Sequence, residues 1–190
     1  MTGDEIDKQI KALVSPRGHE ADRREHDRAL EFLLAHADEA HPRLLALIDP
    51  SGYVPVAAVN ALPLFGRAES IAALEKLMRE GAELISMSAG QALGRHPLPE
   101  ALESLLRGLE DTREETKVAA IDGLMTRGDK SVCKSLQTVL DHQSYEVRYH
   151  AVRAAAGLGC LTAQTLQQIA DHDSEKDIRD LAASLMSGRH

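Results

Sequence analysis

The stretch VRYHAVRAAAGLG, residues 147–159, decides the fold because it recurs along the chain. Its small and helix-favouring residues predict a helix, and its last residue is a glycine of the kind that closes helices. Four other segments align with its first nine residues: VPVAAVNAL (54–62), ISMSAGQAL (85–93), TKVAAIDGL (116–124) and IRDLAASLM (178–186). With the start at residue 147 included, successive segments start 31 residues apart. Residues 147–159 are therefore one unit of a repeat.

Each repeated segment has an alanine at its centre. These alanines are Ala58, Ala89, Ala120, Ala151 and Ala182. The positions four before and four after each alanine are mostly apolar, and such positions share one face of a helix. Each segment is predicted to be a helix with one apolar stripe, whose small central residue lets a neighbouring helix approach closely.

A second apolar segment stands before each alanine segment and predicts an antiparallel partner helix. These partners are residues 41–49, 69–79, 99–109, 130–141 and 161–171. Pro63 is predicted to end or bend the first alanine helix. The predicted C-terminal caps are Gly66, Gly94, Gly128, Gly159 and Gly188.

A single helix pair of this length cannot bury its own apolar stripe, so the pairs must stack. The sequence predicts an all-α protein, an α-solenoid of stacked antiparallel helix pairs that winds as a right-handed superhelix. We predict five repeats over residues 41–190 in one continuous domain. Residues 1–40 contain two off-register helices, 4–14 and 20–37, which are predicted to cap the N-terminal end.

The charge of the chain argues against nucleic acid or an anionic membrane as a partner. Thirty acidic and 22 basic residues give a formal net charge of −8, which repels phosphate. No apolar stretch approaches the length of a membrane span, and the first residues are acidic where a signal peptide would be basic and then apolar. We predict a soluble cytoplasmic protein.

The two cysteines, Cys133 and Cys160, form no metal-binding or redox motif. We predict reduced, buried or semi-buried thiols, which agrees with a cytosolic location.

Residues 141–159, DHQSYEVRYHAVRAAAGLG, resemble the HEAT repeat in its short bacterial subtype, which also occurs in phycobilisome bilin lyases. That unit has a loop Asp, then Val-Arg, then small residues ending near Leu-Gly. Residues 171–188 repeat it, and residues 111–128 do so with Lys117 in place of the arginine, while the first two repeats have Pro55 and Ser86 there. The resemblance implies a bacterial protein and a protein-binding scaffold.

The resemblance also implies a structural role for Arg148 and Arg179. Each arginine is expected to pair with loop acids or carbonyl groups of an adjacent repeat, because its planar donor fork suits such links. Asp111, Asp141 and Asp171 are the expected loop acids.

The side of each alanine helix that faces away from its partner helix is predicted to form a concave binding surface. At about 100° per residue, the positions two before and two after the alanine point most nearly away. The first column is mostly apolar: Val56, Met87, Val118 and Tyr149, followed by Asp180. The second is polar: Asn60, Gln91, Asp122, Arg153 and Ser184.

The column five residues before the alanine adds an acidic edge at its C-terminal end. It comprises Tyr53, Leu84, Glu115, Glu146 and Asp177. Exposed apolar patches often mark interaction sites, so we predict another protein, with a basic or partly apolar surface, as the partner. The alternative is that curvature of the solenoid or the N-terminal helices cover the apolar column.

No residue pattern predicts catalysis, a cofactor or a metal. His19, Glu20 and His26 lack the spacing of a zinc site and are predicted to be solvated, and His150 is predicted to make a local hydrogen bond. We therefore predict a non-enzymatic scaffold or adaptor. Two alternatives stay open: an immunity protein that neutralises a basic toxin, and a bilin-lyase-like or other enzyme accessory subunit.

Overall fold

A computed structural model describes residues 3–15 and 20–188, in which every regular element is helical. The α-helices are α1 (Gly3–Val14), α2 (Glu20–Ala35), α3 (Ala37–Ala46), α4 (Val56–Ala61), α5 (Ala68–Glu80), α6 (Glu83–Arg95), α7 (Glu100–Leu109), α8 (Glu114–Arg127), α9 (Cys133–Gln137), α10 (Tyr145–Gly157), α11 (Ala163–His172) and α12 (Lys176–Met186). Single 3-10 turns follow α4 at Leu62–Phe65 and precede α9 at Lys130–Val132.

The predicted repeat is present. The five alanine helices are α4, α6, α8, α10 and α12, and each follows its predicted partner helix along the chain. All five central alanines are fully buried, as a shared apolar stripe requires. The chain is an all-α solenoid of stacked helix pairs, and one continuous core runs through it.

Two of the partner helices differ from their predicted bounds. In the first pair, α3 begins at Ala37 rather than residue 41, directly after α2. In the fourth pair, the predicted helix 130–141 is a 3-10 turn followed by the short α9, which ends at Gln137. Pro63 acts as predicted, because α4 ends at Ala61 and a 3-10 turn replaces its last turn.

The N-terminal helices α1 and α2 pack against the start of the array. Arg43 of α3 donates to the carbonyl oxygen of Gly3 at 2.8 Å and to Oδ1 of Asp7 at 2.6 Å. Ile6 and Leu13 of α1 and Leu33 of α2 are fully or almost fully buried. Both helices were predicted; their role as a cap stays a prediction.

Four of the five predicted glycine caps have the left-handed backbone that a cap needs. They are Gly66, Gly128, Gly159 and Gly188, with φ between 63° and 74°. The prediction for Gly94 is wrong: it lies inside α6, and a Cβ there would collide with the carbonyl oxygen of Gly123. Gly94 lacks a side chain because two helix backbones meet at that point.

Helices α6 and α8 approach each other more closely than the other pairs of alanine helices that we compare, and we call their contact the α6–α8 joint. A Cβ on Gly90 would collide with the carbonyl oxygen of Ala119, and one on Gly123 with that of Gly90. Together with Gly94, these glycines let the second and third repeats touch backbone to backbone. The centre of the array is therefore closely packed, and rigid-body motion between these repeats is restricted.

Cys133 and Cys160 form a disulfide, so the prediction of reduced thiols is wrong. Cys133 begins α9, and Cys160 follows the left-handed Gly159, two residues after the end of α10; the two Cα atoms lie 5.2 Å apart. That separation suits a disulfide. The cytoplasmic location stays a prediction, but free thiols no longer support it.

Arg148 pairs with an acid of the adjacent repeat, as expected, but that acid is Asp173 rather than one of the expected three, whereas Arg179 bonds carbonyl groups of its own loop. Arg148 makes a bidentate pair with Asp173, with N–O distances of 2.9 and 3.0 Å, and also donates to two loop carbonyls. Arg179 donates to the carbonyl oxygens of Asp173 and Ser174. Asp173 lies in the loop between α11 and α12, so the pair links the fourth and fifth repeats.

The expected acids lie elsewhere. Asp111 pairs with Arg79 at 2.9 Å, which links the second and third repeats. Asp171 accepts a hydrogen bond from Gln167 within α11. Asp141 makes no ion pair within the described part of the chain. Residue spacing predicts which loops carry the acids, but it does not predict which carboxylate of a loop contacts the arginine.

Candidate functional site

An open hollow lies where the N-terminal ends of α6, α8 and α10 meet. Its volume is about 400 Å³. We call it the acidic hollow; its lining is Glu83, Met87, Glu114, Glu115, Val118, Glu146 and His150. Three consecutive repeats contribute to it, so the hollow exists only because the repeats stack.

The floor of the acidic hollow is apolar and its wall is acidic. Met87 is half-buried and Val118 is 9% exposed, whereas Glu115 and Glu146 are exposed. The acids stand in the first turns of their helices, where the positive end of the helix dipole favours negative charge. Local sequence thus places four carboxylates around one apolar surface.

Few cations offset these carboxylates. Arg113 lies 3.6 Å from Glu115, and Ser144 donates to Glu146 at 3.1 Å. Glu83 and Glu114 make no ion pair with any part of the chain that the structure describes. The wall therefore keeps most of its negative charge.

One side of the acidic hollow is fixed by a contact between repeats. Nδ1 of His150, on α10, lies 2.7 Å from Oδ1 of Asp122 on α8. The ring of His150 also lies edge-on to Tyr149, with 5.9 Å between ring centroids. His150 makes a hydrogen bond, as predicted, but the bond is not local: its partner stands 28 positions earlier, on α8, and the contact holds α10 to α8 beside the hollow.

Four of the predicted site residues come together in the acidic hollow: Met87, Val118, Glu115 and Glu146. Two expectations of exposure are wrong, because Val118 is 9% exposed and Asp122 only 7% exposed. Val118 is covered because α8 lies between two neighbouring helices, and Asp122 is occupied by His150. These residues line or support the surface rather than project from it.

The first repeat contributes a separate stretch of the predicted surface. Tyr53 is 87% exposed just before α4, and Val56 is half-buried at its first position. Asn60 is exposed and accepts a hydrogen bond from Arg95 at 2.7 Å. Gln91, which belongs to the second repeat, is half-buried on α6. None of these four residues lines the acidic hollow.

The last predicted residues, Tyr149 and Arg153, lie further along α10. The guanidinium of Arg153 stands 5.8 Å from the centroid of the half-buried Tyr149 ring. Arg153 also borders a second hollow of about 530 Å³. The rest of that lining is Met125, Ala156, Gly157, Leu161, Leu166, Leu181 and Leu185.

Sequence reasoning missed three residues of the acidic hollow: Glu83, Glu114 and His150. Glu83 and Glu114 stand six residues before their alanines, one position outside the edge column. The signal that could have identified them is the presence of acidic residues in the first turns of consecutive alanine helices. His150 stands one residue before its alanine, and only the stacking of α10 on α8 shows that it borders the hollow.

Other histidines have structural roles. Nε2 of His41 lies 2.8 Å from the Ser70 hydroxyl, and Nε2 of His96 lies 3.2 Å from the carbonyl oxygen of Arg67. Burial lowers the pKa of His41, helped by the charge of Arg67, and burial also lowers the pKa of His96. Both histidines therefore favour the neutral form.

The predicted solvation of His26 is wrong, since the side chain is buried and its Nδ1 lies 2.9 Å from the carbonyl oxygen of Leu13. His19 and the side chain of Glu20 lie outside the described residues. Across residues 3–15 and 20–188, no group of three or more His, Cys, Asp or Glu is placed to hold a metal ion. In the same residues, no helix is both long and apolar enough to cross a bilayer.

Stacked helix pairs that recur along the sequence define a helical-repeat protein. Residues 40–116 and 102–187 each match the family model of HEAT repeats, and together they span most of the chain. The chain belongs to the HEAT-repeat family. The sequence comparison with curated proteins gives no match.

Two solved structures are similar to this chain. The complex of CpcE and CpcF of phycocyanin lyase from Nostoc sp. PCC7120 has a TM-score of 0.49 and 16% sequence identity, over 100% of this chain and 77% of that one. An engineered protein has a TM-score of 0.44 and 18% identity, over 100% of this chain and 97% of that one.

Proposed function

We propose that this chain is a non-enzymatic scaffold that binds another protein, one with a basic and partly apolar surface, across the N-terminal ends of α6, α8 and α10. The acidic hollow is the observation that carries the proposal. Its apolar floor offers contact area, and its carboxylates attract positive charge over a distance. Its one histidine already bonds Asp122.

The packing beneath the acidic hollow supports a preformed binding surface. The glycine contacts between α6 and α8 hold two of its three helices together, and the bond between His150 and Asp122 holds the third. A surface that is already ordered loses little conformational entropy when a partner binds. We therefore propose that binding requires no large movement of the repeats.

The test is affinity capture from native extract with three forms of the protein. The wild type is compared with a hollow variant, Glu114→Lys, Glu115→Lys and Glu146→Lys. The matched control variant is Glu39→Lys, Glu80→Lys and Glu110→Lys, which makes the same change in net charge at exposed acids on or just after partner helices. Captured proteins are quantified by mass spectrometry.

We expect the hollow variant to lose a partner that the wild type and the control variant both retain. For that purified partner, association with the hollow variant at low salt should be at least about tenfold slower, because steering by charge accelerates encounter by about that factor or more. Equal capture by both variants would refute the proposal. The identity of the partner then distinguishes an adaptor from an immunity protein or an enzyme accessory subunit.

A further inference from the structure

We infer that the acidic hollow receives the side chain of one lysine or arginine of the partner protein. Its methylene stem lies on Met87 and Val118, and its cationic head lies among the carboxylates. Those carboxylates belong to Glu83, Glu114, Glu115 and Glu146. This inference rests on the proposed function and adds to it the chemical group that anchors the partner.

The size of the acidic hollow fits a long side chain better than a small ion. Its volume of about 400 Å³ compares with about 30 Å³ for one water molecule in the liquid. An occupant must therefore fill a space of many waters. Lysine and arginine do so with an apolar stem that carries a charge at its far end.

The distribution of charge also favours such a side chain over a metal ion. The four carboxylates come from the first turns of three different helices, and among the residues the structure describes no three acidic or histidine groups are placed to hold one ion. A head with several N–H donors on a flexible stem can reach separate carboxylates. Helix dipoles account for acids in first turns, but they do not account for the apolar floor between them.

The basic side chains near the acidic hollow do not occupy it, so its carboxylates remain available to a cation of the partner. Arg113 contacts Glu115 at 3.6 Å, and the two side chains are 40% and 51% exposed, so a partner cation can compete for that carboxylate. Lys117 is directed to the carbonyl oxygen of Leu109, at 2.7 Å. His150 is held by Asp122. The cation that completes this wall must therefore come from outside.

The test uses peptides as probes and the Met87 methyl group as the reporter. Protein labelled with 13C at its methionine methyl groups is titrated at pH 6 with hexalysine, with hexaarginine, and with a hexapeptide of diaminobutyric acid, which keeps the charge at that pH but has a two-methylene stem. A titration with spermine tests whether a free polyamine binds the hollow instead of a protein side chain. Met186, which is 38% exposed and belongs to α12, a helix that does not line the hollow, is the internal control.

We expect hexalysine or hexaarginine to shift the Met87 resonance in a saturable way while Met186 stays in place. The short-stem peptide should bind about tenfold more weakly, because it loses the contact of its methylenes with the floor. Glu114→Gln with Glu115→Gln should weaken hexalysine binding by roughly tenfold or more. An unchanged thermal unfolding curve of that variant checks that it folds.

Three results would overturn the inference. They are equal affinity for short-stem and long-stem peptides, absence of any Met87 shift at saturation, and tighter binding of spermine than of hexalysine. Each of these can occur while the hollow variant still loses its captured partner. In that case the partner binds this surface without a lysine or arginine anchor, so failure of the inference is distinguishable from failure of the proposed function.

Discussion

At the scale of single residues, small size matters most where two helices meet. The alanine column correctly predicts a buried stripe, yet the closest approach between repeats occurs beside it, at Gly90, Gly94 and Gly123. These glycines follow their alanines by one, five and three positions. Residue spacing within one helix shows which face is apolar, but it does not show which neighbouring backbone will touch it.

Gly90→Ala tests whether this contact is as close as described. The new Cβ would meet the carbonyl oxygen of Ala119, which is backbone and cannot rotate away. We expect the free energy of unfolding to fall by about 1 to 3 kcal/mol, as overpacking in a core does. Equilibrium urea unfolding measures it.

Gly157→Ala is the matched control. Gly157 is the last residue of α10, and no heavy atom outside its immediate surroundings in the chain lies within 4 Å of the position that a Cβ would take there. This variant should be neutral or stabilised by up to about 1 kcal/mol, since alanine favours a helix. If both variants unfold at the same urea concentration, the close backbone contact is refuted.

The acidic hollow was predicted in part for a similar reason. Met87, Glu115 and Glu146 follow from their columns, because those columns face away from the partner helices. Val118 and Asp122 stand in equivalent columns but are buried, since their exposure depends on how closely α6 and α10 approach α8. An angle around one helix axis carries no information about that approach.

At the scale of elements, ionic links join consecutive repeats on the side of the loops. The pair of Arg148 and Asp173 connects α10 to the loop before α12, and both side chains are nearly buried. Burial raises the pKa of Asp173, but the hydrogen bond from Arg148, the backbone N–H of Glu175 and nearby positive charge outweigh it and lower the pKa. The link joins the last helix pair, in which no residue of α11 is buried, to the fourth repeat.

Arg148→Ala should therefore destabilise the C-terminal repeat. Leaving the nearly buried Asp173 carboxylate without its hydrogen-bond partner should lower the free energy of unfolding by about 2 to 3 kcal/mol at pH 7. Because the pKa of Asp173 is lowered in the folded state, this contribution is present above its unfolded pKa and is lost as the pH falls through its folded pKa. Urea unfolding at pH 7 and at pH 3 should show the difference between variant and wild type shrinking in acid.

Lys176→Ala provides the control for that pair. Lys176 contacts Asp180 at 2.5 Å on the same helix, with both side chains exposed, and such pairs contribute little to stability. We expect its unfolding curve to match the wild type. A difference between Arg148→Ala and wild type that persists unchanged at pH 3 would contradict the role given to the Asp173 carboxylate.

Helix positions were largely predictable at this scale. The repeat and its glycine and proline signals gave most helix ends within a few residues, because these residues act locally. The helix at 130–141 was overestimated, since its local sequence does not reveal the 3-10 turn at Lys130–Val132 or the end of α9 at Gln137.

At the scale of the whole molecule, the solenoid was predictable because its signal is repeated five times. The disulfide was not predictable from motif spacing, since Cys133 and Cys160 are separated by 27 positions. They meet only because the start of the fourth partner helix lies beside the start of the fifth. Residue pairs that are distant in sequence can be recognised only when the stacking of the repeats is known.

Removing the disulfide should destabilise the protein. A bridge that closes a loop of this length contributes about 3 to 4 kcal/mol in the chain-entropy model. We expect the double variant Cys133→Ser and Cys160→Ser, and the wild type in reductant, to unfold at the same lower denaturant concentration. The unreduced wild type should show no thiol that reacts with iodoacetamide by mass spectrometry; two reactive thiols would contradict the bridge.

The tight α6–α8 joint has a consequence for protein engineering. Its glycines and their opposing carbonyl groups form a matched pair of surfaces, so the second and third repeats are not interchangeable modules. A chimaera cut between them would have to carry both halves of the match, whereas the more open junction around α10 and α12 is the place to graft an additional repeat and lengthen the array.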